Sequence, residues 1–272
     1  MGDIRPRPPQ LRPGRALAHT TGASGSGSPH RSDSRPPQTP RGARPSDPDG
    51  RPGTTPPVPG RPTSLFLLLG LLGLPALLFA LITWQVVADG PLLDADAAAS
   101  RALVHPDRLS EFLADLGNAQ VAVPVLAVTL FYAALRTRRL AGTDHWWLPA
   151  AAAAVLMALV PALIAPLKEL IDRPGTPVVP PATGYYPSGH TATAAVAYGA
   201  AALLLLPWLR SASARRALLV ACAALNLGVG FGLVRRGYHW PLDVVASWCL
   251  CTVLLTLLWL FLARRGRRRP QP

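Results

Sequence analysis

Six uncharged, mostly apolar stretches decide what this chain is able to fold into. They run 64–88, 116–135, 146–167, 189–209, 217–234 and 244–263. About 20 apolar residues in a helix cross the hydrocarbon core of a bilayer. Within lipid the backbone N–H and C=O groups of such a segment have to be satisfied internally, which selects helices over irregular chain. The pattern excludes an all-β domain and an ordinary soluble enzyme. The predicted fold class is all-α: a six-span transmembrane helical bundle.

Residues 1–63 have a different composition. They hold 15 of the 31 prolines, 9 of the 23 glycines and 10 arginines, with few large apolar side chains. Such a segment buries too little apolar surface to offset its ordering entropy, so it is predicted to be a disordered tail. It is too long and Pro-rich for the charged start of an ordinary signal peptide, and 64–88 is too long for the apolar part of one. The expected organisation is a disordered tail over 1–63, a membrane domain over 64–263 and a basic C-terminal tail over 264–272.

The net charge of +13 raises nucleic acid as a partner, but the basic residues flank the spans, which points to the membrane instead. If the tail is cytoplasmic, six spans place 21 of the 27 basic residues on that side: the tail, Arg136, Arg138 and Arg139, Arg210, Arg215 and Arg216, and the C-terminus. The opposite side keeps Arg101, Arg108, Lys168, Arg173, Arg235 and Arg236. The positive-inside rule then puts both termini in the cytoplasm of a multi-pass cell-membrane protein.

The first outer connection, 89–115, carries Leu103, Leu109, Phe112 and Leu113 at helical spacing, continued by Leu116, with charged residues elsewhere. One or two short extramembrane helices are expected there, at the membrane surface or packed against the spans. Cys222, Cys249 and Cys251 all fall inside spans, which argues against a disulfide framework.

Ionisable residues gather in three segments on the outer side by this topology. Segment 168–173 reads Lys-Glu-Leu-Ile-Asp-Arg, 187–190 reads Pro-Ser-Gly-His, and 235–243 reads Arg-Arg-Gly-Tyr-His-Trp-Pro-Leu-Asp. Ionisable groups at membrane depth are functional candidates by default. Lys168 is the only lysine against 26 arginines. Ser188 and Gly189 precede the fourth span, where a helix N-terminus offers free N–H groups to an anion. His239 and Asp243 are four apart and share a face if helical. A carboxylate on one imidazole nitrogen leaves the other free as base or nucleophile. With His190 as a second histidine, cations and N–H groups suit a phosphate. One histidine then attacks phosphorus while the other protonates the leaving oxygen, and the chemistry requires neither metal nor cofactor.

These residues resemble the type 2 phosphatidic acid phosphatase superfamily, over roughly 64–263. That family has three motifs: Lys-x6-Arg-Pro, Pro-Ser-Gly-His and Ser-Arg-x5-His-x3-Asp. Pro187 to His190 completes the second motif, and His239 with Asp243 completes the end of the third. The resemblance implies that His239 is the nucleophile of a phosphohistidine intermediate. It implies that Asp243 orients His239, that His190 is the general acid, and that Lys168, Ser188 and the Gly189 backbone cradle the phosphate. Two positions depart from the pattern. Strict counting lands on Gly175 and Thr176 in the first motif, and on Gly232 and Leu233 in the third. Arg173 and Arg235 or Arg236 stand two or three residues away and are the expected substitutes at the phosphate.

The expected function is an integral membrane lipid-phosphate phosphatase with an outward-facing site. Its substrate would be a lipid phosphomonoester or diphosphate: phosphatidate, phosphatidylglycerophosphate or a polyprenyl diphosphate. Transfer to an alcohol instead of water is a related reading. The alternative class is a catalytically weakened homologue that binds lipid phosphate or serves as a scaffold, favoured by Gly175 and Leu233. A transporter would place polar groups near the middle of its spans, which are almost free of ionisable residues here.

Overall fold

A computed structural model describes residues 66–141 and 145–267. The tail 1–63, expected to be disordered, lies outside the described residues, as does the end of the basic segment 264–272. Among the described residues the fold is all-helical. Its helices are α1 (Phe66–Val87), α2 (Leu92–Leu103), α3 (Arg108–Asp115), α4 (Ala119–Ala141), α5 (Leu148–Ile171), α6 (Gly189–Leu205), α7 (Ala212–Arg235) and α8 (Pro241–Arg267). Six of these, α1 and α4 to α8, are long and apolar enough to cross a membrane. The expected six-span all-α bundle with a helical segment after the first span is therefore the observed fold.

Two helix boundaries differ from the hydropathy reading in a way that bears on the site. α5 continues past 167 to Ile171, with Lys168 in its last turn, and ends on Asp172 in the left-handed conformation at φ 50°. A cation in the last turn complements the partial negative charge of a helix C-terminus. α8 begins at Pro241 rather than 244, with Asp243 in its first turn. Proline fits there because its missing N–H would be unpaired anyway. Hydropathy stops at the first charge, whereas backbone hydrogen bonding carries the helix one turn further.

α6 is the central helix and packs against α4, α5, α7 and α8. Its run of Ala194, Ala195, Ala197, Ala200, Ala201 and Ala202 is buried. Small side chains let helices approach closely in lipid, where helix contact gains little from expelling water. α1 packs on α8, and α3 lies along α7. In α3 the buried residues are Ser110 and Ala114, while Leu109 and Phe112 stay exposed. The packed face is thus the small-residue face, and Leu109 and Phe112 of the helically spaced apolar set lie on the exposed side. The reason is Gly232 of α7: a β-carbon there would lie 2.6 Å from the Ala114 nitrogen and 2.7 Å from the Ser110 oxygen. Cys249 and Cys251 are buried, Cys222 is half-buried, and all three are free thiols.

Candidate active site

The C-terminus of α5 and the N-termini of α6 and α8 meet at one end of the bundle. Hydrogen bonds tie the starts of α6 and α8 together: Ser188 N donates to Asp243 O at 3.2 Å, and the Ser247 hydroxyl donates to Ser188 O at 2.9 Å. Ser188 caps α6 in extended conformation, its Oγ accepting from Thr191 N at 3.3 Å and from the Thr191 hydroxyl at 3.0 Å. This is the ordinary use of serine at a helix start, and here the hydroxyl is fully buried.

The segment 172–188 between α5 and α6 is folded tightly back. Gly175 N donates to Ala182 O, and Tyr185 N donates to Arg173 O. The Thr176 hydroxyl donates to Gly237 O and Trp240 Nε1 to Pro174 O, which fastens this segment to the α7–α8 connection. Tyr186 is fully buried, its hydroxyl 2.7 Å from the Thr83 hydroxyl of α1. Burial pushes its phenol up to about 12, so it stays protonated as a hydrogen-bonding group.

His239 sits just before α8, and its Nδ1 is 3.2 Å from Asp243 Oδ2. Asp243 Oδ2 also accepts from Trp240 N at 3.1 Å. With Nδ1 as the donor, Nε2 is left with a free lone pair, a tautomer set by the bonding pattern. Tyr185 meets the His239 ring edge-on, with centroids 5.9 Å apart. On the far side of Asp243, Arg173 Nη1 donates to Oδ1 at 2.5 Å. Arg173 Nη2 donates to Asp96 Oδ2 at 2.6 Å, and its guanidinium lies over the Trp240 ring at 5.3 Å. Asp96 Oδ1 accepts from Leu242 N at 2.8 Å. Burial pushes the Asp96 carboxyl up from its ordinary value, opposed by these two donors.

A cavity of about 410 Å³ is lined by Lys168, His190, His239, Leu233, Tyr185 and Asp115, among others. Lys168 Nζ donates to Gly184 O at 2.8 Å, which leaves the ammonium further protons to donate. A second cavity of about 700 Å³ runs between α4, α5 and α6, lined by apolar residues such as Leu126, Leu130, Met157 and Ile164. Lys168 and His190 line both cavities, and Gly189 lines the apolar one.

Of the residues named from sequence, Lys168, His190 and His239 thus meet at one cavity, with Asp243 behind His239 and Gly189 beside His190. Ser188 is next to them but is spent on its helix cap. The arginines lie elsewhere. Arg173 is buried and held between two carboxylates. Arg235 Nε donates to Asp107 Oδ2 at 2.7 Å, and neither arginine lines the polar cavity. The Ser110 N–H and Arg235 hold the Asp107 carboxyl down at about 2. Arg236 Nη2 donates to the Tyr238 hydroxyl.

The two positions where the family motifs carry arginine have their own packing. A β-carbon on Gly175 would lie 2.7 Å from the Tyr185 ring, so the aromatic side chain fills that space. Leu233 is buried and lines the polar cavity. Asp96 and Tyr185 carried no motif signal. Asp96 sits 77 positions from the arginine it pairs with.

The PAP2 superfamily model matches residues 150–267, a region that holds Lys168, His190, His239 and Asp243. The resemblance read from the motifs is borne out by this match. The fold is similar to the crystal structure of a transmembrane PAP2-type phosphatidylglycerolphosphate phosphatase from Bacillus subtilis. The TM-score is 0.59 at 24% identity, over 72% of this chain and 98% of that one. No curated protein matches the chain at a significant level.

Proposed function

We propose that the protein is an integral membrane lipid-phosphate phosphatase that works through a phosphohistidine on His239. One observation carries this reading above the rest: a polar cavity with Lys168, His190 and His239 adjoins an apolar cavity between spans, and Lys168 and His190 line both. A phosphate headgroup suits the first, and a lipid tail entering from the bilayer suits the second.

In this mechanism Lys168 and the Gly189 N–H hold the phosphate oxygens. His239, with its Nδ1–H directed to Asp243, attacks phosphorus through Nε2. The N–P bond forms as the P–O bond to the leaving group breaks, and protonated His190 gives its proton to the departing oxygen. Neutral His190 then takes a proton from water as the water oxygen attacks phosphorus. The N–P bond breaks, phosphate leaves, and both histidines return to their starting states. Ser188 supports the phosphate site through the α6 cap. Arg173 and Arg235, expected as phosphate ligands, are engaged with carboxylates in the resting state.

The membrane domain 64–263 is the catalytic unit, flanked by cytoplasmic segments 1–63 and 264–272. The site faces outward across the cell membrane, on the charge argument above. Phosphatidate, polyprenyl diphosphates and phosphatidylglycerophosphate, the lipid phosphate named for the Bacillus neighbour, are the substrate candidates. A second reading, a lipid-phosphate binder or scaffold, is favoured by Gly175 and Leu233 in place of arginines.

The deciding experiment is phosphate release from these three lipid classes by purified wild type and by His239→Ala, without added metal. Release by wild type alone is expected, with the variant at least about a hundredfold slower, the scale of loss seen when a key catalytic group is deleted. Equal rates for the two proteins overturn the histidine mechanism. No release by folded wild type favours the binding reading. Adding glycerol or another alcohol and looking for its phosphate ester separates hydrolysis from phosphotransfer.

A further inference from the structure

Asp96 belongs to none of the three motif segments, yet it is one of the most thoroughly buried charged groups in the described residues. It is 4% exposed, and its pairing partner Arg173 is 6% exposed. Together with Asp243, fully buried, they form a chain: Asp96 Oδ2 to Arg173 Nη2 at 2.6 Å, and Arg173 Nη1 to Asp243 Oδ1 at 2.5 Å. Asp243 Oδ2 then reaches His239 Nδ1 at 3.2 Å. The other Asp96 oxygen accepts from Leu242 N, in the first turn of the helix that carries Asp243. Both groups bonded to Asp96 are donors, which suits the ionised carboxylate.

Charge arithmetic gives this chain a purpose. Two carboxylates against one guanidinium leave a net negative charge, buried directly behind His239. Attack by Nε2 on phosphorus makes the imidazole cationic. A fixed, buried negative charge stabilises that developing cation more than it would in water, and it needs no reorganisation during the step. Without Asp96, Arg173 would offset Asp243 fully and the cluster would be neutral. Burying a guanidinium between two carboxylates also costs desolvation, so stability alone is a poor reason for the arrangement.

We propose that Asp96 is a positioning residue for the reaction at His239. It balances Arg173 so that Asp243 keeps its charge available to the histidine, and it anchors the first turn of α8 through Leu242 N. Arg173 is the connecting group rather than a phosphate ligand. This proposal rests on the phosphatase reading of the same site. It applies to the step that forms the phosphohistidine, because neither Asp96 nor Arg173 lines the polar cavity.

The test is a double-mutant cycle in detergent micelles with Asp96→Asn, Arg173→Gln and the pair, on protein shown monodisperse by size exclusion. The substrate is dioleoyl phosphatidate, or phosphatidylglycerophosphate or farnesyl diphosphate where wild type turns that over faster. Asp96→Asn is expected to lower kcat at least about tenfold with KM within twofold. In the Arg173→Gln background the same change is expected to cost clearly less than in wild type, since the connecting group is gone and only the bond from Leu242 N remains to be lost. That comparison holds even where Asp96→Asn alone does not fold, because the pair carries no unpaired guanidinium. Asp96→Glu, which restores the charge, is expected to recover part of kcat. Unchanged kcat in folded Asp96→Asn overturns the proposal. So does a rise in KM alone, or a full additional loss in the Arg173→Gln background. No phosphate release by wild type from any of the three lipids overturns the phosphatase reading and this proposal with it. Release by wild type with an unaffected variant overturns this proposal alone.

Discussion

At the scale of single residues, the site keeps the histidines, lysine and aspartate of the PAP2 motif pattern and departs from that pattern at the cavity wall. Leu233 is buried at the wall of the polar cavity, where the family motif has arginine. Arg235 is paired with Asp107 outside it. Leu233→Arg is therefore expected to add a phosphate donor that the cavity lacks. A charge-assisted hydrogen bond contributes about 1.5 kcal/mol, so KM for phosphatidate should fall about tenfold. Steady-state kinetics of the purified variant check this. An unchanged KM, with the protein folded, would mean that a group already present fills the role. Gly175 offers no parallel opportunity, because the Tyr185 ring occupies the space. Lys168, His190, His239 and Asp243 were legible from the sequence because their types and spacing carry chemistry in themselves. Asp96 was not. α2 holds both Asp94 and Asp96, and only the fold distinguishes them: Asp96 meets Arg173, while Asp94 lies in the first turn of its helix. A pairing across 77 positions leaves no periodic trace. The reach of an arginine side chain makes Arg173 a reasonable phosphate ligand by sequence alone, whereas in the fold it is bonded to two carboxylates.

At the scale of helices, hydropathy located all six spans but missed the ends that matter. The last turn of α5 and the first turn of α8 are too polar to count as span, yet they hold Lys168 and Asp243. The contact between α3 and α7 was equally hidden, because it depends on small residues that carry little hydrophobic signal. Gly228 and Gly232 lie one turn apart on the face of α7 that meets α3, a spacing that permits close helix approach. A β-carbon at Gly232 would strike the backbone of α3, whereas one at Gly228 would lie 3.1 Å from the end of the Leu113 side chain, which is free to rotate. Gly232→Ala is expected to destabilise the fold by about 1–3 kcal/mol, the usual cost of overpacking. Gly228→Ala should cost less. Thermal unfolding of both variants in one detergent measures the difference, and equal melting temperatures would show that α3 shifts without penalty. Asp115 and Leu233 lie on these two helices and line the polar cavity, so the packing of α3 on α7 also sets the width of the site.

At the scale of the whole domain, the six spans serve as more than a support for three polar segments. The site-bearing ends of α5, α6 and α8 are held by α6, whose alanine surface lets four neighbours close around it. Where α4, α5 and α6 separate, they leave the apolar cavity of about 700 Å³ that adjoins the polar one. A soluble phosphate ester has no use for such a space, whereas a lipid gains about 0.8 kcal/mol for each methylene seated in it. Ala158 of α5 lines this cavity ten residues before Lys168, about 15 Å along the same helix, so a large side chain there narrows the tail space without touching Lys168. Ala158→Phe is expected to lower kcat/KM for dioleoyl phosphatidate about tenfold or more, equivalent to excluding two or more methylenes. Hydrolysis of p-nitrophenyl phosphate, which has no tail, should stay within twofold of wild type. The ratio of the two kcat/KM values, measured on the same preparation, separates a blocked tail from a damaged site. An equal fall for both substrates would place the lipid tail outside this cavity, on the open surface of the bundle.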